Sequence, residues 1–202
     1  GEYRSYASNF HAQIVEVDPQ LPSFQPDLED FARKVDARTK AVIINNPVNP
    51  SGVVYSGETL ASIAGILEEK QKKYGHEIYL ISDEPYRELA YDGVDIPYVT
   101  KFYANTFVAY SFSKTLSIPG ERMGYLAVCK RIRDFADVMD ACSGAARALG
   151  HICASNLYQR VIERCVDVVA DVDYYRQNRD LLVGGLEAMG FTCVHPDGAF
   201  YL

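Results

Sequence analysis

What the 202-residue sequence lacks already narrows what it can be. Its five cysteines (Cys129, Cys142, Cys153, Cys165 and Cys193) are odd in number and widely spaced, and no C-x-x-C pair occurs. That argues against a disulfide framework or a zinc site and for free thiols in a reducing compartment, so a cytoplasmic location is expected. No apolar run reaches the length that crosses a bilayer and no stretch reads as a secretory leader, so no membrane partner is expected. Positive charge is in deficit. Twenty Lys and Arg against 27 Asp and Glu leave a net charge of −7. Nucleic acid is therefore not an expected partner, because a phosphate backbone needs a basic face. The short basic clusters, Lys70 to Lys73 and Lys130 to Arg133, read as solvated helix ends. Glycine and proline are not in excess, and 48% hydrophobic with 23% charged residues excludes disordered and fibrous classes. One well-filled domain remains. The chain does not begin with methionine and ends at Gly198 to Leu202, where an apolar strand opens, so it is expected to be a piece of something longer.

Apolar runs alternate with helical patterns along the chain. Ala12 to Val17 reads as a strand, and Asp27 to Val35 as a short helix with Pro26 and acidic residues at its start. Ala41 to Ile44 is a continuous apolar strand. A helix then spans Ser56 to Tyr74, with Leu60, Ile63, Ala64 and Leu67 spaced to line one face and Gly75 as its stop. Ile78 to Ile81, Thr106 to Tyr110 and Tyr125 to Cys129 are further strands, the last too close to its predecessor for a crossover helix. From Ile132 to about Met189 the pattern is helical, in two or three segments, and Phe191 to Val194 and Ala199 to Leu202 read as strands. Apolar strands separated by helices predict an α/β fold with a mostly parallel sheet and helices on both faces.

In such sheets ligands lie beyond the carboxyl ends of the strands. Three strands run into polar residues there: Asn45, Asn46 and Asn49 after the first, Ser82, Asp83 and Glu84 after the second, and Ser111, Ser113 and Lys114 after the third. Lys114, partly desolvated and near Arg122, could serve as a nucleophilic amine. Ser111, Ser113 and Arg122 offer donors to a phosphate or carboxylate. Asp83 could hold a proton on a ring nitrogen, and Asn49 and Tyr86 could donate to an anionic oxygen. Pyridoxal 5'-phosphate, with its aldehyde, phosphate, pyridine nitrogen and phenolate, would use every one of these groups. Each residue alone has a plainer reading: a lone Asp after a strand is a turn or cap, N-P-S-G a turn, Ser113 a turn residue and Tyr86 a packing tyrosine. No S-D-N or K-T-G motif accompanies the serines and lysine, as serine-nucleophile enzymes would require. Order and spacing lift the signal. The 34 and 31 residues that separate Asn49, Asp83 and Lys114 in turn suit one strand–helix–strand unit each.

The stretches NNPVNPSG, SDEPYREL and SFSKTLSIPGERMGYLAV resemble, in order and spacing, the motifs of class I/II aminotransferases of the fold-type I pyridoxal-phosphate superfamily. The resemblance to these aspartate aminotransferase-like proteins covers essentially the whole chain. It implies that Lys114 carries the cofactor as a Schiff base and then shuttles a proton. It implies that Asp83 keeps the pyridine nitrogen protonated, that Tyr86 and Asn49 hold the phenolate oxygen, and that Ser111, Ser113 and Arg122 bind the phosphate. The glycines flanking Arg122 would let backbone approach that phosphate. Catalytic roles thus fall on Lys114, Asp83 and Tyr86, and no metal is implied. The substrates would be an amino acid and a 2-oxo acid, and the assembly a homodimer. Residues 1–202 would be part of the large cofactor-binding domain, truncated at both ends. The N-terminal segment, with the aromatic that stacks on the ring, would precede Gly1, and the small domain, with the arginine for the substrate carboxylate, would follow Leu202. A carbon–sulfur lyase of the same cofactor class, or a non-catalytic sensing domain of a transcriptional regulator, would share these motifs.

Overall fold

Three of the apolar runs find one another through backbone hydrogen bonds. Ala41–Asn45 (β1), Tyr79–Asp83 (β2) and Thr106–Ser111 (β3) pair in parallel, and Gly124–Val128 (β4) adds antiparallel to β3, giving the order β1-β2-β3-β4. The structure, a computed structural model, describes residues 2–202. Register partners Asn45 and Asp83 end their strands at one level, and β3 runs two residues past Ala109, the partner of Asp83, to Ser111. The polar strand ends therefore share one edge. The antiparallel return of β4 agrees with the short connection after β3.

The helices, in chain order, are α1 (Glu2–Ser8), α2 (Leu28–Lys34), α3 (Gly57–Tyr74), α4 (Phe112–Thr115), α5 (Phe135–Ala148), α6 (Asn156–Cys165) and α7 (Val172–Ala188). Local chemistry sets the limits of α3. The Ser56 side chain accepts from the Thr59 N–H at its start, and Gly75, in the left-handed conformation, closes its end. Its buried stripe, Leu60, Ile63, Ala64 and Leu67, packs with Phe31 of α2 onto Val42, Ile44 and Leu80. This is the core. Side chains alternate across a strand, so Asn45, Asp83 and Ser111 lie on the other face, away from α3. That face is thinly covered: Ile43 and Leu126 are exposed on the sheet, and α5 and α6 bury no residue.

Four expectations are corrected. Ala12 to Val17 forms no strand: Val17 packs against the core, but no neighbouring strand takes up the backbone. Phe191 to Val194 and Ala199 to Leu202 form none either. The backbone there bonds to loop carbonyls, with Gly198 N–H on Gly52 O (2.8 Å) and Ala199 N–H on Leu89 O (2.8 Å). The interval from Asp83 to Lys114 contains no α-helical crossover, only the single turn Val99–Lys101, because Pro85, Gly93 and Pro97 punctuate it. Helix α1, finally, falls where no element was expected. Among the described residues no helix is long and apolar enough to cross a membrane.

Candidate active site

Asn45, the last residue of β1, organises the first part of the site. Its side-chain amide donates to Asp83 O (2.8 Å), and its carbonyl oxygen accepts from Asn49 N–H (2.7 Å). The loop carrying Asn49 is thus tied to the end of β2. From there the Asn49 amide reaches the Tyr86 hydroxyl at 3.4 Å.

Asp83 closes β2. Tyr3 of α1 donates to its Oδ2 at 2.5 Å. Burial pushes the Asp83 carboxyl above the usual carboxylate range and the negative charge of Glu84 adds to this, while the bond from Tyr3 opposes it. Among the described residues no Lys or Arg forms an ion pair with Asp83. Glu84 itself is turned away: buried, it accepts from Ser82 Oγ (2.7 Å) and pairs with Arg87 (2.6 Å). A buried ion pair of this kind holds the turn after β2 in one conformation and leaves Asp83 as the carboxylate facing the strand edge.

One turn on, Tyr86 is buried, and its hydroxyl lies 2.6 Å from that of Tyr201. Phe200 and Tyr201 pack edge-on against its ring at 5.5 and 5.4 Å. Burial raises the Tyr86 phenol above its usual range and the charge of Asp83 adds to this, against the Asn49 amide, which lowers it. Tyr86 is therefore a neutral hydrogen-bonding phenol throughout the neutral range.

Beyond β3 the chain turns at once into α4. Ser111 caps it, accepting from Ser113 N–H (3.1 Å) and donating to Ser113 Oγ (2.6 Å). Lys114 follows, its Nζ 5.2 Å from the centre of the Phe200 ring, a cation–π contact. Arg122 occupies the turn before β4 in the left-handed conformation, exposed, with one guanidinium nitrogen on Pro119 O (3.0 Å). It lies two residues before Gly124, the cross-strand partner of Ser111. A Cβ on Gly124 would stand 2.3 Å from Tyr110 O, so this glycine permits the close approach of β4 to β3, whereas nothing lies within 4 Å of a Cβ on Gly120.

All seven residues singled out in the sequence thus lie at, or just beyond, the carboxyl edge of the parallel strands. Asn49 with Tyr86, and Ser111 with Ser113, are joined by hydrogen bonds. Asn45, named in the sequence only as a polar strand end, belongs to the same region, as do Tyr3, Phe200 and Tyr201, which carried no comparable signal. Tyr3, near the start of the chain, reaches Asp83 through its hydroxyl. Chemically the edge presents an acceptor for a protonated ring nitrogen, two donors for an anionic oxygen, an amine, and hydroxyls with a guanidinium for a phosphate. His76, by contrast, contacts the carbonyls of Ala37 (2.9 Å) and Glu77 (3.0 Å) at the opposite end of the strands.

The same arrangement of sheet and helices occurs in solved aminotransferases. One from Eubacterium rectale superposes with a TM-score of 0.96 at 46% identity, over 98% of this chain and 50% of that one. The aspartate aminotransferase of Thermotoga maritima gives a TM-score of 0.81 at 28% identity, over 98% of this chain and 52% of that one. In sequence, the probable aspartate/prephenate aminotransferase of Thermus aquaticus is 33% identical over 187 residues, covering 91% of this chain and 47% of that protein. The fold is that of an aminotransferase large domain. The sequence profile described as aminotransferase class I and II matches residues 1–202, and the chain belongs to that family. It spans about half the length of the curated relatives it matches.

Proposed function

We propose that the protein is a pyridoxal-phosphate-dependent aminotransferase, cytoplasmic and homodimeric, that moves an amino group between an amino acid and a 2-oxo acid. Residues 1–202 contribute part of its large cofactor-binding domain. The observation that carries this reading is Asp83: a carboxyl lifted by burial, at the same strand edge as Lys114 and without a cationic partner among the described residues. A protonated ring nitrogen would supply that cation, so the residues present fit the cofactor.

When bound, pyridoxal phosphate supplies an aldehyde that condenses with amines and a ring that takes up the electron pair released at Cα. Asp83 holds the proton at the ring nitrogen, and the resulting positive charge returns its own carboxyl to the ionised form. Tyr86 and Asn49 donate to the phenolic oxygen. Ser111 and Ser113 donate to the phosphate, and Arg122 adds the charge-assisted bond. Lys114 would hold the aldehyde carbon, and its amine would move the proton between the substrate Cα and the cofactor carbon next to the ring. The sheet edge orients these groups, because each sits within a few residues of a hydrogen-bonded strand end.

Support for transfer, rather than elimination at Cβ by a lyase or sensing by a regulator, comes from the aminotransferase names of the relatives in sequence and structure. The test is amino-group transfer in the intact protein. An isotopically labelled amino group should appear on an added 2-oxo acid. Release of the label as ammonia would favour the lyase, and a bound cofactor without turnover would favour the sensor.

A further inference from the structure

Tyr86 has one proton and two acceptor positions on its hydroxyl oxygen. The Asn49 amide nitrogen can only donate, so Tyr86 accepts there at 3.4 Å. The contact with Tyr201, at 2.6 Å between oxygens, can run in either direction. If Tyr86 donates to Tyr201, its single proton is used and it turns a lone pair toward any ligand. If Tyr201 donates, both acceptor positions of Tyr86 are filled and its own proton is left over. Edge-on packing of the two rings at 5.4 Å would not require this oxygen–oxygen contact.

We infer that Tyr201 is a positioning residue: by donating its hydroxyl proton to Tyr86, it fills the second acceptor position there and strengthens Tyr86 as the donor to the phenolic oxygen of the cofactor. This rests on the pyridoxal-phosphate reading above. An anionic oxygen at that place selects the donating direction, because the alternative sets a lone pair against a negative charge. Accepting two bonds also polarises the Tyr86 hydroxyl and makes it a stronger donor. The arrangement is held in advance of any ligand. Asp197 and Gly198 N–H groups bond to Gly52 O (3.0 and 2.8 Å), Ala199 N–H bonds to Leu89 O (2.8 Å), and the buried Tyr91 hydroxyl donates to Ala199 O. A Cβ on Gly198 would stand 2.6 Å from Leu89 O, so the segment can approach this closely only with glycine there. Tyr201 is thus fixed from both the loop after β1 and the loop after β2. It links the last residues of the chain to the phenolate side of the site. The other groups facing the pair are Asn49 and, through its charge, Asp83.

The experiment is a pH titration of the absorbance of bound pyridoxal phosphate in the intact protein, in Tyr201→Phe, in Tyr86→Phe and in the double variant. The phenylalanine keeps the ring packing, and circular dichroism checks the fold. A donor to the phenolic oxygen favours the deprotonated form of the bound chromophore. Tyr201→Phe leaves the Tyr86 proton on the phenolic oxygen but removes the second bond that polarises it, so the apparent pKa should rise by about 0.2–0.5 unit, a roughly 1.5–3-fold rise in proton affinity. In the Tyr86→Phe background the second substitution should add nothing, because Tyr201 acts only through Tyr86. An unmoved titration in Tyr201→Phe overturns the inference. So does a further full shift in the double variant, which would mean that Tyr201 acts on the cofactor directly. If borohydride fixes no cofactor on Lys114 of the intact protein, the functional reading falls and this inference falls with it. A cofactor fixed there with an unmoved titration overturns the inference alone.

Discussion

Asp83 sits where burial and the neighbouring charge of Glu84 both work against its ionised form. The folded chain therefore binds a proton there more tightly than the unfolded chain does. By linkage, that contribution to stability is full at low pH and is lost as pH rises from the ordinary carboxylate range through the raised folded value. Asp83→Asn, which keeps an oxygen to accept from Tyr3, should remove the loss. In the cofactor-free chain the variant should gain in urea midpoint at pH 7 relative to the unaltered chain, with a smaller gain at pH 4. Equal gains at both pH values would contradict this account of Asp83. With cofactor bound the sign should reverse, since a cationic ring nitrogen favours the ionised carboxyl. Residues at this scale were legible where chemistry and position coincide. A lysine, a carboxylate and hydroxyls directly after apolar strands can be read without coordinates. Tyr3, Phe200 and Tyr201 could not, because they reach the site through tertiary contacts from segments with no periodic signature.

Elements were legible where backbone propensity, capping and burial agree. For α3 all three do: the Ser56 cap, the Gly75 stop and the stripe from Leu60 to Leu67 coincide with the expected helix to within a residue. Ser56→Ala should lower stability by about 1 kcal/mol in urea unfolding, through loss of the bond to Thr59 N–H. The strands expected at the two ends of the chain failed for a shared reason. Apolar alternation marks a segment suited to a sheet but does not supply a partner strand, and Ala199 N–H bonds to the loop carbonyl of Leu89 instead. Helix α1 was missed because seven polar and aromatic residues carry no periodic stripe. The β3–β4 pair depends on one residue. Gly124→Ala places a carbon against Tyr110 O and should cost about 2 kcal/mol in urea unfolding. It should also loosen the end of β3 that carries Ser111. Wild-type stability in that variant would mean that β4 pairs less closely than described.

At the scale of the molecule, helices α5 and α6 bury none of their residues, although α6 is strongly two-sided. Ile152 and Leu157 are 76% and 66% exposed, and Val161, Val166, Val168 and Val169 extend the apolar surface. Patches of this kind mark contact surfaces. The chain should self-associate in sedimentation velocity, and Leu157→Glu combined with Val161→Glu should shift it toward monomer; an unaltered sedimentation profile would place the contact elsewhere. The composition gave no hint of this surface, because 48% hydrophobic residues is ordinary whether they are buried or not. The most direct measurement concerns what the assembled strand edge holds. The intact protein is mixed with pyridoxal phosphate, reduced with borohydride and digested, and the modified peptide is located by mass, with Lys114→Ala as the control. The expected result is one reduced adduct on Lys114 that disappears in the variant. An adduct on another lysine, or none, would contradict the assignment of this edge as a pyridoxal-phosphate site.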